Sequence, residues 1–147
     1  MFGEKMSFGC EGVQKSYGKK KVLRGADFTA QTGKIVGLFG TNGSGKTTLF
    51  RLLATLLNPD SGSAVLDGFD IVKDYQAVRS RVGYMPGRFS LYPDLSVEEN
   101  LQFFAALFGV TVAESYSLVA PIYKQIEPFR NRRAGKLSGG MKQKLAL

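Results

Sequence analysis

The chain has a single cysteine, no histidine and no long apolar run, and each absence closes off a class of protein. Cys10 alone cannot build an internal disulfide framework, and one thiol in 147 residues suits a reducing cytosol. Without histidine there is no imidazole to contact a phosphate or to carry a proton. No stretch reaches the roughly 20 apolar residues that a membrane-spanning helix needs. The richest, Leu101 to Val112, is too short and contains Gln102. The start, Met1-Phe2-Gly3-Glu4-Lys5, lacks the charged-then-apolar order of a secretory signal. Internal repeats and low-complexity tracts are absent too. These features predict a soluble, intracellular protein of one-domain size, with 44% hydrophobic and 22% charged residues.

Acidic residues are also in deficit: 12 Asp and Glu face 20 Lys and Arg, a formal charge of +8. The basic clusters are Lys19-Lys20-Lys21 and Arg130-Asn131-Arg132-Arg133 through Lys136. Neither is interleaved with the stacking aromatics of a single-strand nucleic-acid binder, so both read as solvated loops.

Against these absences stands Gly40-Thr41-Asn42-Gly43-Ser44-Gly45-Lys46-Thr47, which fits the phosphate-loop pattern G-x-x-x-x-G-K-[ST] at every fixed position. Ile35-Val36-Gly37-Leu38-Phe39 before it reads as a buried strand, and Thr48 to Leu57 after it as a helix stopped by Asn58-Pro59. Gly40, Gly43 and Gly45 free the backbone to turn successive N–H groups inward, toward an anion. The helix adds its unpaired first-turn N–H groups and the positive end of its dipole. Lys46 is then the point charge for the β- and γ-phosphates, the Thr47 hydroxyl a Mg²⁺ ligand, and the Thr48 hydroxyl a partner for a phosphate oxygen. The expected ligands are ATP and Mg²⁺.

Elsewhere the pattern is that of an α/β chain. Val13–Tyr17 and Val22–Ala30 read as an antiparallel pair around a turn at Gly18-Lys19-Lys20. Ser63–Leu66 and Phe69–Ile71 form a hairpin about Asp67-Gly68. A short helix over 74–79 leads to a strand over 81–85, broken by Pro86-Gly87. Beyond Pro93 the period becomes helical. Ser96-Val97-Glu98-Glu99 has capping-box spacing, and Leu101, Phe104, Ala105 and Phe108 form a stripe read as core with a docking edge. Further helices are expected over 112–119 and 122–129, then a basic, glycine-punctuated loop to Gly140 and a helix from near Met141.

Leu137-Ser138-Gly139-Gly140-Met141-Lys142-Gln143 is the second informative stretch: Ser-Gly-Gly opening a helix is a weak anion-site signal alone. Following a phosphate loop by about 90 residues, it becomes specific, and here the chain resembles the ATP-binding-cassette family of transporter ATPases. The likeness covers nearly everything after Phe8. It implies a P-loop NTPase-type mixed sheet with an antiparallel β subdomain and a helical subdomain. The boundaries are 8–92 for the β subdomain and loop core, 93–140 for the helical subdomain, and 137–147 for the signature and its helix. The chain reaches Leu147 before the family's second acidic motif, the Walker B strand, so the likeness is to the N-terminal portion. Tyr17 sits where the family places an adenine-stacking aromatic, the other reading being a strand-end core tyrosine. Gly40, Asn42, Gly43, Ser44, Gly45, Lys46, Thr47 and Thr48 match the phosphate loop, with Thr47 on the metal. Ser138, Gly139 and Gly140 match the signature that in the family reaches a γ-phosphate on a partner domain. The implied partners are a second nucleotide-binding domain, the same or different, and a membrane permease. Nucleic acid is not expected. The implied location is cytoplasmic, on the inner face of the plasma membrane through the permease. Phe89 to Leu101 looks most like exporters of drugs, lipids or polysaccharides.

Three departures qualify the resemblance. Gly87 stands where the family has a glutamine near Mg²⁺, and Met141 where it has a glutamine after the signature. The aspartate–glutamate pair that orders the metal and the attacking water, and the later γ-phosphate histidine, have no counterpart in the 147 residues. No catalytic residue is therefore assigned. The expected activity is MgATP binding, with hydrolysis powering export in the complete protein. Two further readings are a non-hydrolysing regulatory module and a repair or chromosome ATPase.

Overall fold

The computed structural model describes residues 6–88 and 90–147. The Met1–Lys5 start, and Phe89 at the head of the exporter-like stretch, lie outside the described residues. The chain divides into two compact units between Tyr84 and Met85.

In the first unit β1 (Met6–Tyr17) pairs antiparallel with both β2 (Lys20–Gln31) and β3 (Ser61–Leu66). A two-residue strand, β4 (Phe69–Asp70), completes the sheet in the order β2-β1-β3-β4. The β3–β4 hairpin turns at Asp67 and Gly68, with φ of 48° and 79°, as a twist-compatible two-residue loop demands. Helix α1 (Lys46–Leu53) lays Leu49, Leu52 and Leu53 against Cys10, Val13, Leu23, Ala64 and Ile71 to form the core. It ends at Thr55, which takes a left-handed φ of 57° where glycine is usual. Arg79, closing α2 (Tyr75–Arg79), donates to the Thr55 hydroxyl at 2.8 Å and carbonyl at 2.9 Å. That pair of bonds offsets the strain of a β-branched residue there.

In the second unit α3 (Val97–Leu107) and α4 (Val112–Tyr123) both begin with complete capping boxes, Ser96 with Glu99 and Thr111 with Glu114. Helix α5 (Gly139–Ala146) starts on Ser138. The core is Val97, Tyr123, Ile126, Ala134, Leu137 and Leu145. Buried Asn100 fixes the approach to α3. It accepts from the Tyr92 N–H at 3.0 Å and donates to the carbonyls of Tyr92, Leu95 and Ser96 at 3.0, 3.3 and 2.9 Å.

Several sequence expectations are corrected. Residues 35–39 and 81–85 form no strand, and Ile35 and Phe39 are fully exposed. A parallel-sheet strand needs neighbours on both edges and cover on both faces; among the described residues none pairs with these segments. The separate helices expected over 112–119 and 122–129 are instead one helix that carries Pro121 in its last turn, followed by a 3-10 turn at Glu127–Phe129. A proline so near the end removes a single N–H, and burial of Tyr123 and Ile126 holds the turn. Residues 130–140 are not a free loop. Ala134 and Gly135 donate to the carbonyls of Leu95 and Pro93, each at 2.8 Å, and Val97 donates to Arg132 at 3.1 Å. Of the stripe read as core, Leu101, Phe104 and Ala105 are only half-buried and Phe108 is exposed.

Candidate functional site: the phosphate loop and its cleft

The loop closes on itself through few bonds. Ser44 N–H donates to the Thr41 carbonyl at 3.3 Å, and Leu49 N–H, the first helical donor, to Gly45 at 2.9 Å. Gly43 and Gly45 hold φ of 80° and 97°, conformations that cost a side-chain-bearing residue dearly. Gly40 allows close approach instead: a Cβ there would lie 2.8 Å from Ser44 Oγ, and the hydroxyl would have to turn aside. At Gly45 both reasons combine, since a Cβ would meet Leu23 Cδ2 at 2.8 Å and the Val22 carbonyl at 3.1 Å. The loop is thus seated directly on β2.

Helix α1 differs from α3, α4 and α5 at its N-terminus. Those three are closed by Ser96, Thr111 and Ser138, whereas no side chain among the described residues caps α1. Its first-turn N–H groups, on Lys46, Thr47 and Thr48, face a cleft of about 320 Å³ lined by residues 42–48 together with Lys20 and Val22. Uncapped donors at the positive end of a helix dipole form an anion site. Lys46 folds back over the loop, its ammonium donating to the Gly40 and Thr41 carbonyls at 2.7 Å each and to Ser44 Oγ at 3.3 Å. The cleft therefore carries donors and cations and no carboxylate in its lining.

The structure brings Asn42 through Thr48 together at this cleft, with Gly40 beneath them. Tyr17, half exposed at the end of β1, pairs across the ladder with Lys20 and is not itself among the lining residues; its exposure sets aside the core-tyrosine reading. Lys20, read from sequence as part of a solvated run, lines the cleft instead. The pairing slips at Val22, which stands as an extra residue between Lys21 and Leu23, and Lys20 and Val22 line the cleft where Lys21 does not; a bulge of this kind leaves no signal in the sequence. Ser138, Gly139 and Gly140 are exposed at the start of α5, with open space beside both glycines. The Ser138 hydroxyl accepts from Met141 N–H at 3.4 Å. Met141 packs on the second core, which accounts for an apolar residue at that position. Gly87 and Arg88 line a separate cleft of about 270 Å³ in the second unit, beside Gly139, Lys142 and Gln143 of α5.

Comparison with known proteins decides the family, since the ABC transporter family matches residues 23–147. The chain belongs to that family. Among ABC relatives, a probable multidrug ABC transporter ATP-binding protein of Escherichia coli K12 (YbhF) is 48% identical over 130 residues, covering 87% of this chain and 22% of that protein. The Nod factor export ATP-binding protein I of Burkholderia lata is 39% identical over 137 residues, covering 92% of this chain and 45% of that one. The solved structure of cbiO1 from Clostridium perfringens, part of the ABC transporter complex cbiONQ, superposes with a TM-score of 0.80 at 25% identity. That superposition covers 97% of this chain and 60% of cbiO1. The ABC fold is thereby established, and the chain spans under half the length of the two curated relatives. As a family of ATP-binding proteins, ABC chains bind nucleotide. No helix among the described residues is long and apolar enough to cross a membrane.

Proposed function

We propose that this chain is the MgATP-binding portion of an exporter-type ABC ATPase. The observation that carries the reading is the uncapped start of α1 opening, with Lys46, into a cleft free of carboxylates. Gly40, Asn42, Gly43, Ser44 and Gly45 shape the cradle. Lys46 leaves its loop carbonyls to meet the β- and γ-phosphates, and Thr48 bonds a phosphate oxygen. The Thr47 hydroxyl, a hard oxygen donor exposed at the start of α1 beside the phosphate cradle, fits Mg²⁺ and would hold the ion together with phosphate oxygens. When bound it neutralises phosphate charge.

Ser138, Gly139 and Gly140 are assigned to the γ-phosphate held by a second copy or a related domain, in a head-to-tail pair. The open space beside both glycines supports that approach. Residues 8–92 and 93–140 serve as the β and helical subdomains. Tyr17 is retained as the adenine-stacking candidate on family grounds, with its ring half exposed. The Nod factor export relative supports export as the direction, and cbiO1, part of a transporter complex, supports a membrane permease as partner, with the cytoplasmic face following from the family resemblance. Gly87 favours a second reading, a binding module that does not hydrolyse, because glycine cannot reach Mg²⁺ or orient water with a side chain.

Calorimetry with MgATP tests the proposal. The 147-residue chain should bind, and Lys46→Ala should weaken binding by at least about a hundredfold, as loss of a charge-assisted phosphate contact implies, with far-UV circular dichroism unchanged. A folded chain that takes up no nucleotide refutes it.

A further inference from the structure

Three consecutive lysines, chemically alike in the sequence, are separated by the fold. Lys20 opens β2 and lines the phosphate-loop cleft, while Lys19 lies in the turn and Lys21, just before a bulge at Val22, is not part of the lining. Lys20 makes no ion pair with the described residues, whose ion pairs are Lys15 with Asp60 and Arg130 with Glu98. The cleft lining holds no carboxylate that could explain its placement. Its position is also not loose. The Val22 carbonyl and Leu23 Cδ2, two and three residues on, stand 3.1 and 2.8 Å from where a Cβ on Gly45 would lie, so the backbone just after Lys20 abuts the loop.

The two cations occupy different ends of the loop. Lys46 Nζ sits over Gly40, Thr41 and Ser44, whereas β2 meets the loop at Gly45. A phosphate-loop lysine serves the β- and γ-phosphates, which leaves the α-phosphate end of the chain beside β2. We propose that Lys20 is a nucleotide-binding residue that contacts the α-phosphate end of the bound nucleotide, its stem lying with Val22 along the same wall. The inference rests on the MgATP-binding reading above.

Binding of MgATP and MgADP to the 147-residue chain and to Lys20→Ala, Lys20→Arg and Lys21→Ala tests it. Lys20→Ala should weaken both nucleotides by a similar factor, about three- to tenfold, the range of one solvent-accessible charged contact. Lys20→Arg should stay within about twofold and Lys21→Ala should match the parent, since a phosphate contact needs charge at that position only. The loss in Lys20→Ala should shrink as salt rises. Equal affinities for Lys20→Ala and the parent overturn the inference and leave the nucleotide reading intact. Equal losses in Lys20→Ala and Lys21→Ala reduce it to general surface charge and overturn it as well. A parent chain that binds neither nucleotide overturns both.

Discussion

Replacing Gly45 with alanine puts a methyl group where the loop rests on β2, and its effect can be divided into two parts. The first is backbone strain: φ is 97°, and a residue with a Cβ pays about 1–2 kcal/mol in left-handed space. The second is overlap with Leu23, whose Cδ2 lies 2.8 Å from the new carbon and is itself buried in the core, so it cannot simply swing away. Overpacking of this kind costs about 1–3 kcal/mol. Gly43 separates the two parts. It holds a φ of 80° but has nothing within 4 Å of a built Cβ, so Gly43→Ala carries the strain alone. Urea unfolding followed by circular dichroism should therefore rank parent, Gly43→Ala, then Gly45→Ala. The gap between the two variants should be about 1–3 kcal/mol, or a midpoint shift near 1 M with a typical urea slope. MgATP binding should fall further in Gly45→Ala, because relief of the overlap lifts the loop from β2. Equal stabilities for the two alanine variants would falsify the claim that β2 props the loop.

Asn100→Leu strands the Tyr92 N–H and carbonyl in a part-buried place, the Leu95 and Ser96 carbonyls keeping the N–H groups of Ala134 and residue 100, and should cost roughly 1–3 kcal/mol in denaturant unfolding. Asn100→Asp should not rescue it, since a carboxylate cannot donate to those carbonyls; wild-type stability in either variant contradicts the role given to Asn100. Asp60 accepts from Lys15 Nζ and from Ser16 N–H, each at 2.7 Å, and the Lys15 hydrogen bond chiefly draws its carboxyl below the ordinary aspartate range. Its contribution to stability is thus complete above that ordinary range and disappears as pH falls through the lowered folded value. The stability difference between the parent and Asp60→Asn should shrink on acidification below about pH 4 and stay flat from there to neutrality, taking the ordinary aspartate value as the upper edge; a difference that grows with acid has the wrong sign.

What could be read from sequence was what is decided within a few residues. The phosphate loop, the Ser96 capping box and the Asp67-Gly68 turn each depend on side chains or φ preferences at fixed short spacing, and each is present. Residues 35–39 show the limit. Their composition is that of a strand, but a strand exists only if another segment supplies its ladder, and composition does not report the partner. The basic stretch 130–136 misled in the opposite sense. Its charge suggested solvent, yet Ala134 and Leu137 within and beside it are core, and its backbone is tied to residues 93–97. Lys20 could not be distinguished from its neighbours by strand parity, because the ladder slips at Val22. Asn100 could not be read either, because an asparagine inside a helix gives no outward sign of whether it faces water or a bent backbone.

The bare run Ile35-Val36-Gly37-Leu38-Phe39 also bears on how copies of the chain behave in solution. Five uncharged residues with open amides and carbonyls offer a template to which a like segment can add. The excess of eight positive charges opposes the encounter by mutual repulsion. Salt weakens that repulsion and leaves the apolar attraction untouched, so the molecule's colloidal stability depends on ionic strength through a balance between one short segment and the charge of the whole.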